Sequence, residues 1–64
     1  MRLIEKTKHH KIYRDVEFNE YVVKFAADPS WEPSWYYTDD KDDAISTAAA
    51  MDEAVDERNN RRTA

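Results

Sequence analysis

The side chains best suited to chemistry in this sequence are two adjacent histidines, His9 and His10, and two blocks of carboxylates, Asp39-Asp40-Lys41-Asp42-Asp43 and Asp52-Glu53-Ala54-Val55-Asp56-Glu57. A metal is the first chemistry to test. Adjacent residues on a strand point to opposite faces, and with no cysteine and no spaced third histidine the pair lacks a coordination set, so no metal site is expected. The first acidic block has the density of a calcium loop, yet the required alternation breaks at Lys41 and Ala44 and no glycine makes the sharp turn. Its expected role is at a helix N-terminus, where the macrodipole favours negative charge.

Catalysis asks for more than residue types. A nucleophile with its base, or a carboxylate pair, must converge in a concave site, which so short a chain can hardly build. The absence of glycine also removes phosphate loops built on close backbone approach. We therefore expect no enzyme, no catalytic residue and no cofactor.

Binding is the chemistry that remains, and three surfaces suit it. On a helix, Asp52 and Asp56, and likewise Glu53 and Glu57, stand about 6 Å apart. Together with Asp39, Asp40, Asp42 and Asp43, some 15 to 20 Å away (roughly), they form a row of carboxylates able to stand in for phosphates. An ordinary solvated helix face has the same composition. The second surface is Trp31 with Glu32 and the Tyr36-Tyr37 pair, since tryptophan and tyrosine dominate interfaces; the same rings are also needed to fill a small core. The third is the basic segment Lys6, Lys8, His9, His10, Lys11 and Arg14 with Tyr13 interleaved, suited to single-stranded nucleic acid, to guarding an edge strand, or to neutralising a neighbour's acidic helix.

These surfaces need elements to hold them. The 64 residues make at most one domain with a thin core, and no cysteine is present to staple it, so a second subunit is the available support; monomer and homodimer both stay open. No apolar run approaches the length that spans a bilayer, and residues 1–6 turn polar without an apolar signal-peptide stretch, so a cytoplasmic protein without a membrane partner is expected. Charge is divided along the chain: the net −4 separates into a basic start over residues 1–14, a strongly acidic stretch over 15–57, and Arg58, Arg61 and Arg62.

Ala44, Ala48, Met51 and Val55 recur at helical spacing beside Ile45, which predicts a helix over about residues 39–58, N-capped by Thr38 or Asp39, with 59–64 as a frayed tail. Strands are predicted over about 11–15, 20–27 and 34–38, from β-branched and aromatic runs. Leu3-Ile4 either opens a further strand over about 2–6 or extends the first past a bulge near His9-His10. Asn19 is the residue best able to take positive φ in the hairpin turn. Pro29 to Trp35 reads as a stiff loop in which Trp35 closes the core and Trp31 is freer. The expected fold is α+β: an antiparallel sheet of three or four strands covered by one C-terminal α-helix, in a single domain over residues 1–58.

Short length, the lack of cysteine and glycine, the hairpin followed by Tyr36-Tyr37-Thr38-Asp39-Asp40-Lys41-Asp42-Asp43-Ala44-Ile45, and the acids later on the helix together give a chain that resembles the small acidic inhibitors of host defence encoded by phages and mobile elements, of anti-CRISPR and anti-restriction type. The resemblance implies a stoichiometric inhibitor whose partner is a basic nucleic-acid-binding protein complex and which binds no nucleic acid itself. Asp42, Asp43, Asp52, Glu53, Asp56 and Glu57 are the residues expected to carry it. A homodimeric regulatory module and a single-stranded nucleic-acid binder are the alternatives.

Overall fold

A computed structural model of the chain describes residues 1–63, with side chains described as far as Asn60. Four strands come first: β1 (Arg2–Lys6), β2 (His10–Asp15), β3 (Glu20–Phe25) and, after a 3-10 turn over Glu32–Ser34, β4 (Tyr36–Thr38). One helix, α1 (Lys41–Thr63), completes the chain. The strands form one antiparallel sheet in the order β1-β2-β3-β4, each beside its neighbour in sequence. The expected α+β fold is present with four strands, and Leu3-Ile4 belongs to a strand of its own.

Local chemistry explains the connections. A bulge falls within β1, not near His9-His10: Leu3 pairs with Tyr13 and Glu5 with Ile12, so Ile4 is the extra residue, and it packs against the core. Residues 7–9 turn the chain, with the Thr7 amide donating to the His10 carbonyl at 2.8 Å. The β2–β3 turn closes without glycine because Asn19 takes φ 51°, as expected. The Asp15 carboxylate steadies that turn by accepting the amides of Glu17 and Phe18.

The helix begins later and ends later than its pattern suggested. Its N-cap is Asp40, whose Oδ1 accepts the Asp42 amide at 3.0 Å while its carbonyl accepts Ala44 N at 3.0 Å. Thr38 is held in β4 opposite Tyr21 and instead accepts the Asp40 amide, so neither it nor Asp39 caps. Past Arg58 no proline or glycine stops the helix, so residues 59–63 continue it; Ala64 lies outside the described residues.

Ile12, Val23, Ala44 and Ala48 are fully buried between sheet and helix, and Ile4, Tyr21, Tyr36, Ile45 and Met51 pack around them. The alanines let the helix approach closely. Its 23 residues span about 35 Å, whereas the six-residue strands span about 20 Å, so α1 is longer than the strands it covers. Trp35 does not close this core. It alternates with Tyr37 on one face as expected, but that face is the one turned away from the helix, because Tyr36, between them, is the residue packed inward.

Candidate functional site

Two polar constructions emerge, one on each side of the sheet. On the helix side, Asp52 and Asp56 grip the β1–β2 turn. Asp52 Oδ2 accepts the Lys8 amide at 3.1 Å, and its Oδ1 accepts the His9 amide at 2.9 Å and His10 Nδ1 at 2.6 Å. Asp56 takes Lys8 Nζ and His9 Nε2, each at 2.8 Å. His9 and His10 thus reach the same helix, contrary to the opposite faces expected of them, because the strand starts only at His10 and His9 still lies in the turn. The carboxylate at 52 serves turn amides that strand pairing leaves unmatched.

The titration of these acids follows from their partners. Burial pushes the Asp52 carboxyl up, but hydrogen bonds from the His10 ring, Thr7 and the His9 amide outweigh it and hold the group below its usual value. Lys8 and His9 lower Asp56. At the other end of α1 the Tyr36 hydroxyl donates to Asp43 at 2.6 Å, which lowers the carboxyl and raises the phenol.

The acids singled out from the sequence are therefore divided. Asp43, Asp52 and Asp56 are bound within the fold, and Asp40 is the cap, while Asp39, Asp40, Asp42, Glu53 and Glu57 are exposed. On the outward face of α1 only Asp42, Glu53 and Glu57 align, and Asp42 and Glu53 stand about 16 Å apart with Ser46 and Ala49 between them. Trp31 and Glu32 are exposed at the 3-10 turn.

The other side of the sheet carries a surface not assembled from the sequence. Cross-strand partners share a face, so the pairs Lys6 with Lys11 and Lys11 with Lys24 align three lysines across β1, β2 and β3. Among the described residues no carboxylate forms an ion pair with any of the three. Beside them runs a second row, Leu3, Tyr13, Val22 and Tyr37. Val22 is fully buried in it although it faces away from the helix.

Aromatic rings tie the two rows together. The Lys24 ammonium lies 4.0 Å from the Trp35 ring centroid and 4.9 Å from that of Tyr13. Trp35 meets Tyr37 edge to face, with centroids 6.3 Å apart, and is anchored by its Nε1 donating to the Pro29 carbonyl at 2.9 Å. Tyr37 remains 49% exposed, which leaves its ring available for stacking. The sequence signal for this surface is the period-two spacing in Lys11-Ile12-Tyr13, Val22-Val23-Lys24 and Trp35-Tyr36-Tyr37, which becomes a patch only once register is known.

Comparison of the chain with protein-family models, curated proteins and solved structures finds no match. Among the described residues no group of three or more histidine, cysteine or acidic side chains is placed to hold a metal ion, and no helix is long and apolar enough to cross a membrane.

Proposed function

We propose that this chain is a non-enzymatic binding domain that takes single-stranded nucleic acid across the open face of its sheet. The observation that carries the reading is the lysine row Lys6-Lys11-Lys24, without carboxylate partners among the described residues and bordered by the rings of Tyr13, Trp35 and Tyr37. Like charges opposed across strands destabilise a sheet, and of the three only Lys24 is offset by ring contacts, so Lys6 and Lys11 bring little structural return in the free protein. A phosphate backbone relieves it. The lysine and ring rows lie about 7 Å apart along the strands, so a backbone following the lysines sets its bases toward the rings, where stacking holds them without sequence preference. The net charge of −4 keeps such binding modest and favours low salt.

A labelled oligothymidine titrated at low salt tests this by fluorescence anisotropy. Three phosphate contacts give a slope of log K against log salt of about −2. No binding at about 20 mM salt, where single-strand binders are tightest, removes the reading.

A second reading is favoured by the exposure of Asp39, Asp40, Asp42 and Glu53: an acidic inhibitor, of the type the sequence resembles, that occupies a basic groove of a host nucleic-acid-binding complex. It predicts capture of such a complex, lost when Asp42 and Glu53 are reversed in charge.

A further inference from the structure

A cavity of about 190 Å³ lies between α1, the end of the sheet and the loop that carries Trp31. Its walls are mostly apolar and partly aromatic, from Phe25, Trp31, Met51 and Val55. Apart from Ser34, whose hydroxyl donates to the Trp31 carbonyl, two polar groups interrupt them. His10 is 4% exposed and tilts against Phe25 with ring centroids 5.5 Å apart. Its Nδ1 is bound to Asp52, and because a carboxylate only accepts, that nitrogen carries the hydrogen and Nε2 is the ring nitrogen left over from the pair. Arg58 is the second, an exposed guanidinium at the rim with no carboxylate partner among the described residues.

We infer that this cavity is a binding site for a small aromatic carboxylate of one ring or two fused rings. The ring lies among Phe25, Trp31 and Met51, where aromatic and thioether contacts favour it. The carboxylate meets Arg58, whose planar fork matches it in two parallel hydrogen bonds. When the imidazole is neutral its Nε2 accepts, so a ligand with an N–H or O–H opposite its carboxylate satisfies both polar groups. The acids nearest the cavity do not oppose the anion strongly, since Asp52 is bound to His10 and Asp56 to Lys8 and His9. The site lies on the helix side of the sheet and is independent of the lysine row.

Indole-3-acetate is the probe, titrated into the full ¹⁵N-labelled chain, with indole-3-ethanol as its uncharged counterpart. The expected result is saturable shifts at the amides of Phe25, Trp31, Met51 and Arg58. Binding is expected to be about tenfold weaker for the alcohol and for Arg58→Ala, the loss of one charge-assisted contact. Ala54→Trp, at an exposed position on the cavity wall, is expected to block binding while circular dichroism shows the fold unchanged. The inference is overturned if no saturable shift occurs by about 10 mM, above the range a ligand of this size should reach. It is also overturned if Arg58→Ala binds as well as the original chain, or if the shifts centre on Lys24, Trp35 and Tyr37.

Discussion

Asp52 on the helix and His10 at the start of β2, 42 residues apart in sequence, meet at 2.6 Å in a buried pair. The same carboxylate accepts the amides of Lys8 and His9. One side chain therefore fixes where the helix lies against the first hairpin. That makes it a structural group, although its sequence context is that of a charged surface.

Replacing Asp52 by alanine leaves a buried imidazole and two turn amides without their acceptor. Unmatched buried polar groups cost about 1 to 3 kcal/mol each, softened here by water reaching the turn, so a loss of about 2 kcal/mol or more is expected. In a domain of this size that lowers Tm by about 10 °C or more. Thermal melts followed by circular dichroism measure it; a melt within about 2 °C of the original would show that the pair contributes little.

The stability of the domain should fall on the acid side through the same contacts. Asp43, Asp52 and Asp56 all have folded pKa values below the ordinary 3.8, so the folded state binds fewer protons than the unfolded state as pH drops. Their contribution is complete above that value and is lost as pH falls through the lowered folded values. Tyr36, raised above 10.0, contributes below that pH and loses its contribution as pH rises through its folded value. Urea melts across pH should show a plateau with an acid fall that Asp52→Asn flattens and an alkaline fall that Tyr36→Phe flattens. Unchanged slopes in these variants would assign the falls to other groups.

Architecture was legible because local signals agreed. Ala44, Ala48 and Met51 mark the inward helical stripe, and Asn19 takes the positive φ that a hairpin without glycine requires. Asp52 and Asp56 were legible only as acids at i,i+4 spacing; their attachment to Lys8, His9 and His10 depends on a contact across more than 40 residues, which no local pattern carries. The lysine row was hidden for a related reason. Lys6, Lys11 and Lys24 become neighbours through strand register, and a shift of one residue would have turned them to the other face.

The β2–β3 turn provides a local test of backbone conformation. Asn19 is held at φ 51°, where a Cβ costs about 1 to 2 kcal/mol and only glycine, and to a lesser degree asparagine, is at ease. Its side chain also accepts a hydrogen bond from Arg14, an exposed contact of little net worth. Asn19→Gly should therefore leave stability within about 0.5 kcal/mol, while Asn19→Val lowers it by about 1 kcal/mol or more, the β-branched side chain being least suited to that region. Urea denaturation of the two variants separates these outcomes, and equal midpoints would remove the conformational argument.

Lys11 separates a binding role from a structural one. It stands opposite both Lys6 and Lys24, so its ammonium is repelled from two sides in the free protein. Threonine suits a strand and removes the charge. Lys11→Thr should accordingly stabilise the domain by about 0.5 kcal/mol, a rise in Tm of about 2 to 4 °C. The same change removes one phosphate contact, so the salt slope for single-stranded nucleic acid should shrink by about 0.7 and low-salt affinity should fall. Higher stability with weaker binding is the signature of a residue kept for a ligand at the expense of the fold. If Lys11→Thr instead lowers Tm and leaves nucleic-acid affinity unchanged, Lys11 serves the sheet itself, and the open face loses the central member of its lysine row.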